Sequence, residues 1–365
     1  MQITGFSARN FRNLNIECAK FEPGLNILHG KNAQGKTNII EAIYFCAFGR
    51  AFRAKSDAEL VNWDENDSFV RIDSERGGSS FTTDVSIERL GKKAAKSFLF
   101  DKVPVKHLKD LFGKLLVVLF GPMDLRLIKD GPSERRRFLD MEICQLSPVY
   151  YNDLKEYHRI LRHRNALLKS LQKDRTAKDT LFAWDEQLAR FSGRIGKTRS
   201  GFVERLGAAA SDIYRHISGG EHLEMEYRPS LVTCDSLKTN WDRDIYRGAT
   251  GDGAHGDEIE FRINGQSARS FASQGQQRSA ALSAKLAEIT IIKETTGEEP
   301  VLLLDDVLSE LDSRRREFLF SFVRAQQTIL TSTGLDDALQ KISGRHNVMY
   351  VDGGRICQIK GAKDD

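Results

Sequence analysis

The chain has 365 residues, 40% hydrophobic and 29% charged, with a net charge of +4 at pH 7, proportions that suit a globular protein of one large interrupted domain or of two. No apolar run approaches the roughly 18 residues needed to span a bilayer, and the longest apolar blocks, Leu115–Phe120 and Val301–Leu304, are strand-sized. The opening Met1-Gln-Ile-Thr-Gly-Phe lacks the regions of a secretory signal, so no membrane partner is expected and the expected compartment is cytoplasmic.

In chain order, Ile3–Phe6 begins a β segment, Asn10–Asn13 interrupts it with polar residues, and Pro23-Gly24 signals a turn. Leu25–His29 is a short apolar strand ending at Gly30. Asn38–Phe48 is helix-like, with Ile39, Ile40, Ile43 and Ala47 at helical spacing and Gly49 placed to stop it. Phe69–Val105 alternates like β-hairpins, with turns at Gly77-Gly78 and Gly91. After Gly131-Pro132 the character changes. Ser133 to about Ile217 is nearly free of Pro and Gly until Gly193, which predicts two or three long antiparallel helices. Glu224–Tyr227 and Glu258–Ile263 read as strands separated by a glycine-rich polar loop, Gly248–Gly256. The last third alternates helix Gln276–Ile292, strand Val301–Leu304, helix Ser313–Val323 and strand Thr328–Leu330.

Metal chemistry built from thiols or imidazoles is not expected. The five cysteines (Cys18, Cys46, Cys144, Cys234, Cys357) are scattered without a CxxC pair, which predicts reduced thiols. The eight histidines form no HExxH pair, and the five-residue spacing of His158 and His163 splays them around a helix.

Gly30-Lys31-Asn32-Ala33-Gln34-Gly35-Lys36-Thr37 matches GxxxxGK[ST], with an apolar strand leading in and a helix leading out. In such a loop, backbone N–H groups wrap β- and γ-phosphate oxygens at a helix N-terminus. Lys36 supplies a point charge to the phosphates, and the Thr37 hydroxyl is a ligand for Mg²⁺. The second carboxylate that such a site needs comes from Asp305-Asp306, delivered by the buried strand Val301–Leu304 at its C-terminal end. Asp305 is expected to hold Mg²⁺ and Asp306 to orient the attacking water, so Lys36 and Asp306 are the expected catalytic pair.

With these residues in place, the chain resembles the ABC-type ATPase heads of the SMC, Rad50 and RecF families, and over essentially its whole length it resembles the RecF family most. Ala272-Ser273-Gln274-Gly275-Gln276-Gln277-Arg278 is similar to the signature motif, and Ser309-Glu310-Leu311-Asp312 to the D-loop. The opening Phe6–Leu14, the stretch Phe120–Asp140, the short helical segment in place of a long coiled coil, and Asp-Asp instead of Asp-Glu are RecF-like. Met123 stands where an acidic residue is more usual, and Thr331 or Ser332 where many ABC ATPases carry a histidine. The resemblance implies an α/β fold: an ABC-type P-loop ATPase head, a mixed sheet with helices, carrying an inserted short helical arm. The head is expected from residues 1–130 and 262–365, and the arm from 131–261.

The resemblance also implies a mechanism. Ser273, Gly275 and Gln276 of one copy complete the nucleotide site of a second, so that ATP clamps a homodimer. Arg12 is implied to contact nucleotide phosphate. The implied function is DNA replication, recombination and repair, with an SOS-response connection. It comprises weak, DNA-stimulated ATP hydrolysis, binding to gapped or single-strand/duplex junction DNA, and partnership with RecR/RecO-type mediators. The soluble ATPase subunit of a membrane transporter, and an ATPase driving a nuclease, are the competing readings; the first calls for a stronger LSGGQ and a switch histidine, the second for a further carboxylate cluster. Net charge alone does not announce DNA. Local runs do more: Arg135–Arg137 are either DNA contacts or partners of acidic residues, and Lys155, Arg159, Arg162, Arg164 and Lys169 form a basic helical run.

Overall fold

The computed structural model describes residues 1–308, 311–323, 326–333 and 346–358. Its contacts fall into two units, Met1–Asp124 with Glu288–Asp365, and Leu125–Ala287. The arm expected at 131–261 is a segment of the second unit, which continues through the signature segment.

The first unit holds two six-stranded sheets. One is an antiparallel meander of β1 (Gln2–Phe11), β2 (Leu14–Lys20), β4 (Asp67–Arg76), β5 (Ser79–Leu90), β6 (Lys93–Phe100) and β7 (Val103–Pro104), in the order β2-β1-β4-β5-β6-β7. The other contains β3 (Leu25–His29), β8 (Val117–Phe120), β12 (Val301–Leu304), β13 (Thr328–Ser332), β14 (His346–Asp352) and β15 (Arg355–Gln358), in the order β15-β14-β3-β13-β12-β8. Its neighbours run parallel except β14 and β15, which form an antiparallel hairpin. Parallel strands covered on both faces read as continuous apolar runs, and Val301–Leu304 is buried at every position. Helix α1 (Lys36–Phe48) buries Ile39, Ile40, Ile43, Phe45 and Phe48, and α10 (Ser313–Val323) follows β12 in the chain.

The second unit carries α2 (Arg126–Lys129), α3 (Pro132–Leu146), α4 (Pro148–Leu171), α5 (Leu181–Ser218), α6 (Cys234–Thr239), α7 (Trp241–Arg247) and α8 (Ala268–Phe271). Strands β9 (Leu223–Arg228), β10 (Glu258–Ile263) and β11 (Gln266–Ser267) form a small antiparallel sheet. Helix α9 (Gln274–Thr296) begins here and crosses the boundary at Ala287. The 38 residues of α5 give a rod roughly 57 Å long. Gly207 lets β9 approach that rod closely, since a Cβ there would stand 3.2 Å from the Cβ of Met225. Between the two expected strands the chain folds as α6 and α7 before the glycine-rich stretch. Among the described residues, no helix is long and apolar enough to cross a membrane, and no group of three His, Cys, Asp or Glu could hold a metal.

Candidate nucleotide-binding site

The loop between β3 and α1 has left-handed backbone at Ala33 (φ 63°) and Gly35 (φ 111°), which turns the chain sharply into the helix. Gly35 is the N-cap, and no side chain caps that helix end, so its first N–H groups remain suited to an anion. Lys31, Asn32 and Ala33 are exposed, whereas Lys36 is buried and its Nζ donates to the carbonyl oxygens of Gly30 (2.5 Å) and Lys31 (2.7 Å). Burial lowers the Lys36 pKa below the usual lysine value, an effect that the nearby carboxylates of Asp306 and Asp305 oppose.

The loop's crest is tied to the β14–β15 turn. Gly354 N donates to Gln34 O at 2.9 Å, and Gly353 N donates to Gln34 Oε1 at 2.7 Å. Sequence alone does not reveal this attachment, although Asp352-Gly353-Gly354-Arg355 is a recognisable hairpin turn.

Strand β13 separates β3 from β12, and its Thr331 ties the acid pair together. Thr37 Oγ1 donates to Asp305 Oδ1 at 2.8 Å, and Thr331 Oγ1 donates to the same oxygen at 3.0 Å. Thr331 Oγ1 also accepts from Asp306 N at 2.8 Å, fixing a turn in which Asp306 has φ 50° and is exposed. Burial raises the Asp305 pKa above the usual carboxylate range; the bonds from Thr37 and Thr331 and the charge of Arg53 pull it back, and Asp306 adds to the rise. A cation beside Asp305 would favour its ionised form. The hydroxyl and carboxylate oxygens of Thr37 and Asp305 are the hard donors Mg²⁺ takes alongside substrate phosphates, so the residues present fit that ion.

Arg12 lies against α1, pairing with Glu41 through Nε–Oε2 at 2.5 Å and Nη2–Oε1 at 3.2 Å. Glu41 is fully buried, and Arg53 approaches it at 3.4 Å. A fully buried carboxylate requires such partners, and the pairing of Arg12 with Glu41, 29 positions on, carries no local sequence signal.

In the second unit, Ser273 and Gln276 form a reciprocal cap at the start of α9: Gln276 N donates to Ser273 Oγ at 3.2 Å, and Ser273 N donates to Gln276 Oε1 at 2.9 Å. Gln276 Nε2 also donates to Glu221 Oε1 at 2.7 Å. Ser273 is exposed and Gly275 half-buried on the first turn of a 23-residue helix. Of the D-loop, Ser309 and Glu310 lie outside the described residues, while Asp312 N-terminally anchors α10 by accepting from Arg315 N at 3.0 Å. The basic runs separate by burial. Arg135 is buried and bonded to Glu258, Leu127 O and Asp130 O, and Arg136 donates to Asp257 O, whereas Arg137 is exposed. Arg164 is fully buried against Asp185 and Asp244, so the basic helical run is not one solvated face.

A phosphate loop on one strand of a parallel sheet, with an acid pair two strands away, defines a P-loop ATPase head of the ABC/SMC class. The chain belongs to the RecF family: the family described as RecF/RecN/SMC N terminal domain matches residues 2–352. The DNA replication and repair protein RecF of Acetivibrio thermocellus is 42% identical over 369 residues, covering 97% of this chain and 99% of that protein. The RecF protein of Lachnoclostridium phytofermentans is 42% identical over 333 residues, covering 90% and 91%. Among solved structures, the recombination mediator protein RecF with ATP, in the RecFOR pathway, superposes with a TM-score of 0.91 at 32% identity, covering 98% of this chain and 97% of that one. The Smc head domain of Pyrococcus furiosus shares the fold, with a TM-score of 0.56 at 15% identity over 98% of this chain and 96% of that one.

Proposed function

We propose that this chain is an ATP-controlled DNA clamp of recombinational repair and replication restart. The observation that carries the reading is the convergence of Thr37, Asp305 and Thr331 beside Lys36 at the ends of neighbouring parallel strands. In this reading Gly30, Lys31, Asn32, Ala33, Gln34 and Gly35 cradle the phosphates of ATP through backbone N–H groups, and Lys36 neutralises them. Thr37 and Asp305 hold Mg²⁺, which supplies charge stabilisation to the transferring phosphoryl group when bound. Asp306 orients water, and Arg12 contacts phosphate, for which its guanidinium must share or leave its pairing with Glu41.

The exposed Ser273, with Gly275 and Gln276, offers the start of α9 to the γ-phosphate held by a second copy. ATP then acts as the bridge of a homodimer, and its slow, DNA-stimulated hydrolysis releases the bridge. The DNA is expected to be gapped duplex or a single-strand/duplex junction, held mainly through its phosphates. The RecFOR pathway named for the ATP-bound relative supports RecR- and RecO-type proteins as partners.

The test is binding to gapped duplex DNA with and without ATP and Mg²⁺, comparing wild type with Ser273→Arg. ATP should strengthen wild-type binding, and the variant should bind ATP yet lose that gain and the ATP-dependent dimer. A variant that dimerises normally would sink the cross-subunit role. Absence of DNA binding at low salt by the wild type would remove the repair reading and leave the ATPase.

A further inference from the structure

Trp63 is 88% exposed, on a turn built to hold it in place. Glu65 N donates to Asn62 O at 3.1 Å, Asp64 N donates to Asn62 Oδ1 at 3.1 Å, and Asn62 N donates to Asn10 O at 2.8 Å. Arg89 on β5 then clamps the backbone from beneath. Its Nη1 donates to Trp63 O and Glu65 O, each at 3.1 Å, and its Nη2 donates to Val61 O at 2.5 Å. The backbone carrying the indole is thus fixed while the ring itself meets solvent. A large aromatic presented on a pre-ordered turn is the anchor type that protein interfaces favour, because little further ordering is needed on binding.

Charge selects the class of partner. Residues 55–67 carry five carboxylates against the single Lys55. Asp57 is paired with Lys96 and Asp67 with Arg9. Asp64 and Glu65, which follow the indole directly, are exposed and have no ion pair among the described residues. With the Arg89 guanidinium turned to the backbone carbonyl oxygens beneath the turn, the exposed Asp64 and Glu65 carboxylates beside the ring oppose a phosphate backbone and complement a basic protein surface.

We infer that the Trp63 turn is a docking point for a protein that offers an indole-sized apolar pocket rimmed by lysine or arginine side chains. The indole fills the pocket, and Asp64 and Glu65 set the register against its rim. This rests on the proposed repair function only for the choice of probes.

The experiment uses the full chain, with purified RecR and purified RecO from the same genome as separate probes, measured by isothermal titration. One of them should bind wild type, at least tenfold more weakly to Trp63→Ala, and Trp63→Phe should fall between. Asp64→Lys/Glu65→Lys should weaken binding most at low salt, since screening already removes that contribution at high salt. Affinity for gapped DNA should be unchanged in both Trp63 variants, which keep the charge, and this separates a failure here from a failure of the DNA reading. Equal affinity of all variants for the probe, no binding of either probe by wild type, or a loss of DNA affinity in Trp63→Ala would each overturn the inference.

Discussion

Thr37 and Asp305, 268 positions apart in the chain, are joined by a hydroxyl–carboxylate hydrogen bond of 2.8 Å. That bond brings the phosphate loop and the acid pair to one point, where two hard oxygen donors could serve a cation such as Mg²⁺. Thr37→Val removes the hydroxyl at nearly constant volume and leaves Asp305 with Thr331 alone. The magnesium-dependent part of ATP affinity should fall by about tenfold to a hundredfold, whereas magnesium-free affinity, assigned in the proposed reading to backbone N–H groups and Lys36, should barely change. Titration of ATP with and without magnesium measures both. Equal losses in the two conditions would place the role of Thr37 outside metal binding.

Thr331 serves both members of the acid pair, donating to Asp305 at 3.0 Å and accepting from Asp306 N at 2.8 Å. Its removal should therefore disturb the geometry of hydrolysis more than the binding of nucleotide. Thr331→Val is expected to slow single-turnover hydrolysis by about tenfold to a hundredfold, as is usual for residues that orient a ligand or catalytic group. ATP affinity should stay nearer to wild type, and Thr331→Ser should recover most of the rate. Normal hydrolysis by the valine variant would mean that Asp306 is positioned without this hydroxyl.

The two halves of this site were unequally visible in the sequence. Lys36, Thr37, Asp305 and Asp306 stand out because glycine spacing and a four-residue apolar strand ending in two acids are local patterns. Thr331 could be located but not given partners, because its position depends on β13 lying between β3 and β12, with Leu304 opposite Leu330 and Leu28 opposite Thr331. The attachment of Gln34 to Gly353 and Gly354 is hidden for the same reason, since 319 positions separate Gln34 from Gly353. Arg164 was obscured differently. In a lysine- and arginine-rich helix it reads as one more solvated cation, and only the arrival of Asp185 and Asp244 from other helices accounts for its complete burial.

Gln34 and the β14–β15 turn supply a stability test local to the nucleotide loop. Gly354 has φ 77°, and a Cβ there would collide with the backbone carbonyl of Asn13. Gly354→Val combines a disfavoured backbone with that collision, and any shift of the turn that relieves it disturbs the bonds to Gln34. The expected cost is about 1–3 kcal/mol of stability, accompanied by weaker ATP binding because the loop loses its brace. Thermal unfolding and nucleotide titration should move together. A destabilised variant with unchanged ATP affinity would show that the hairpin supports the fold without setting the loop.

Arg164 offers the corresponding test in the second unit. Its Nε donates to Asp185 at 2.7 Å, and its Nη1 donates to Asp244 at 2.9 Å and to Thr250 at 2.8 Å. Trp241 Nε1 donates to the other oxygen of Asp185 at 2.5 Å, so two helices and a loop converge on one cation. Arg164→Ala would leave the fully buried Asp185 with the Trp241 N–H and the fully buried Asp244 with Arg243 and the Gly251 N–H, each at 3.3 Å, so both lose their shortest cationic partner. Removal of one partner from such a buried pair costs about 3–5 kcal/mol, and urea unfolding followed by tryptophan emission should register a loss of that size. Adding Asp185→Asn and Asp244→Asn to Arg164→Ala removes the two buried charges and should recover part of it. If the triple variant is no more stable than the single one, the arginine acts through the packing of its stem rather than through its charge.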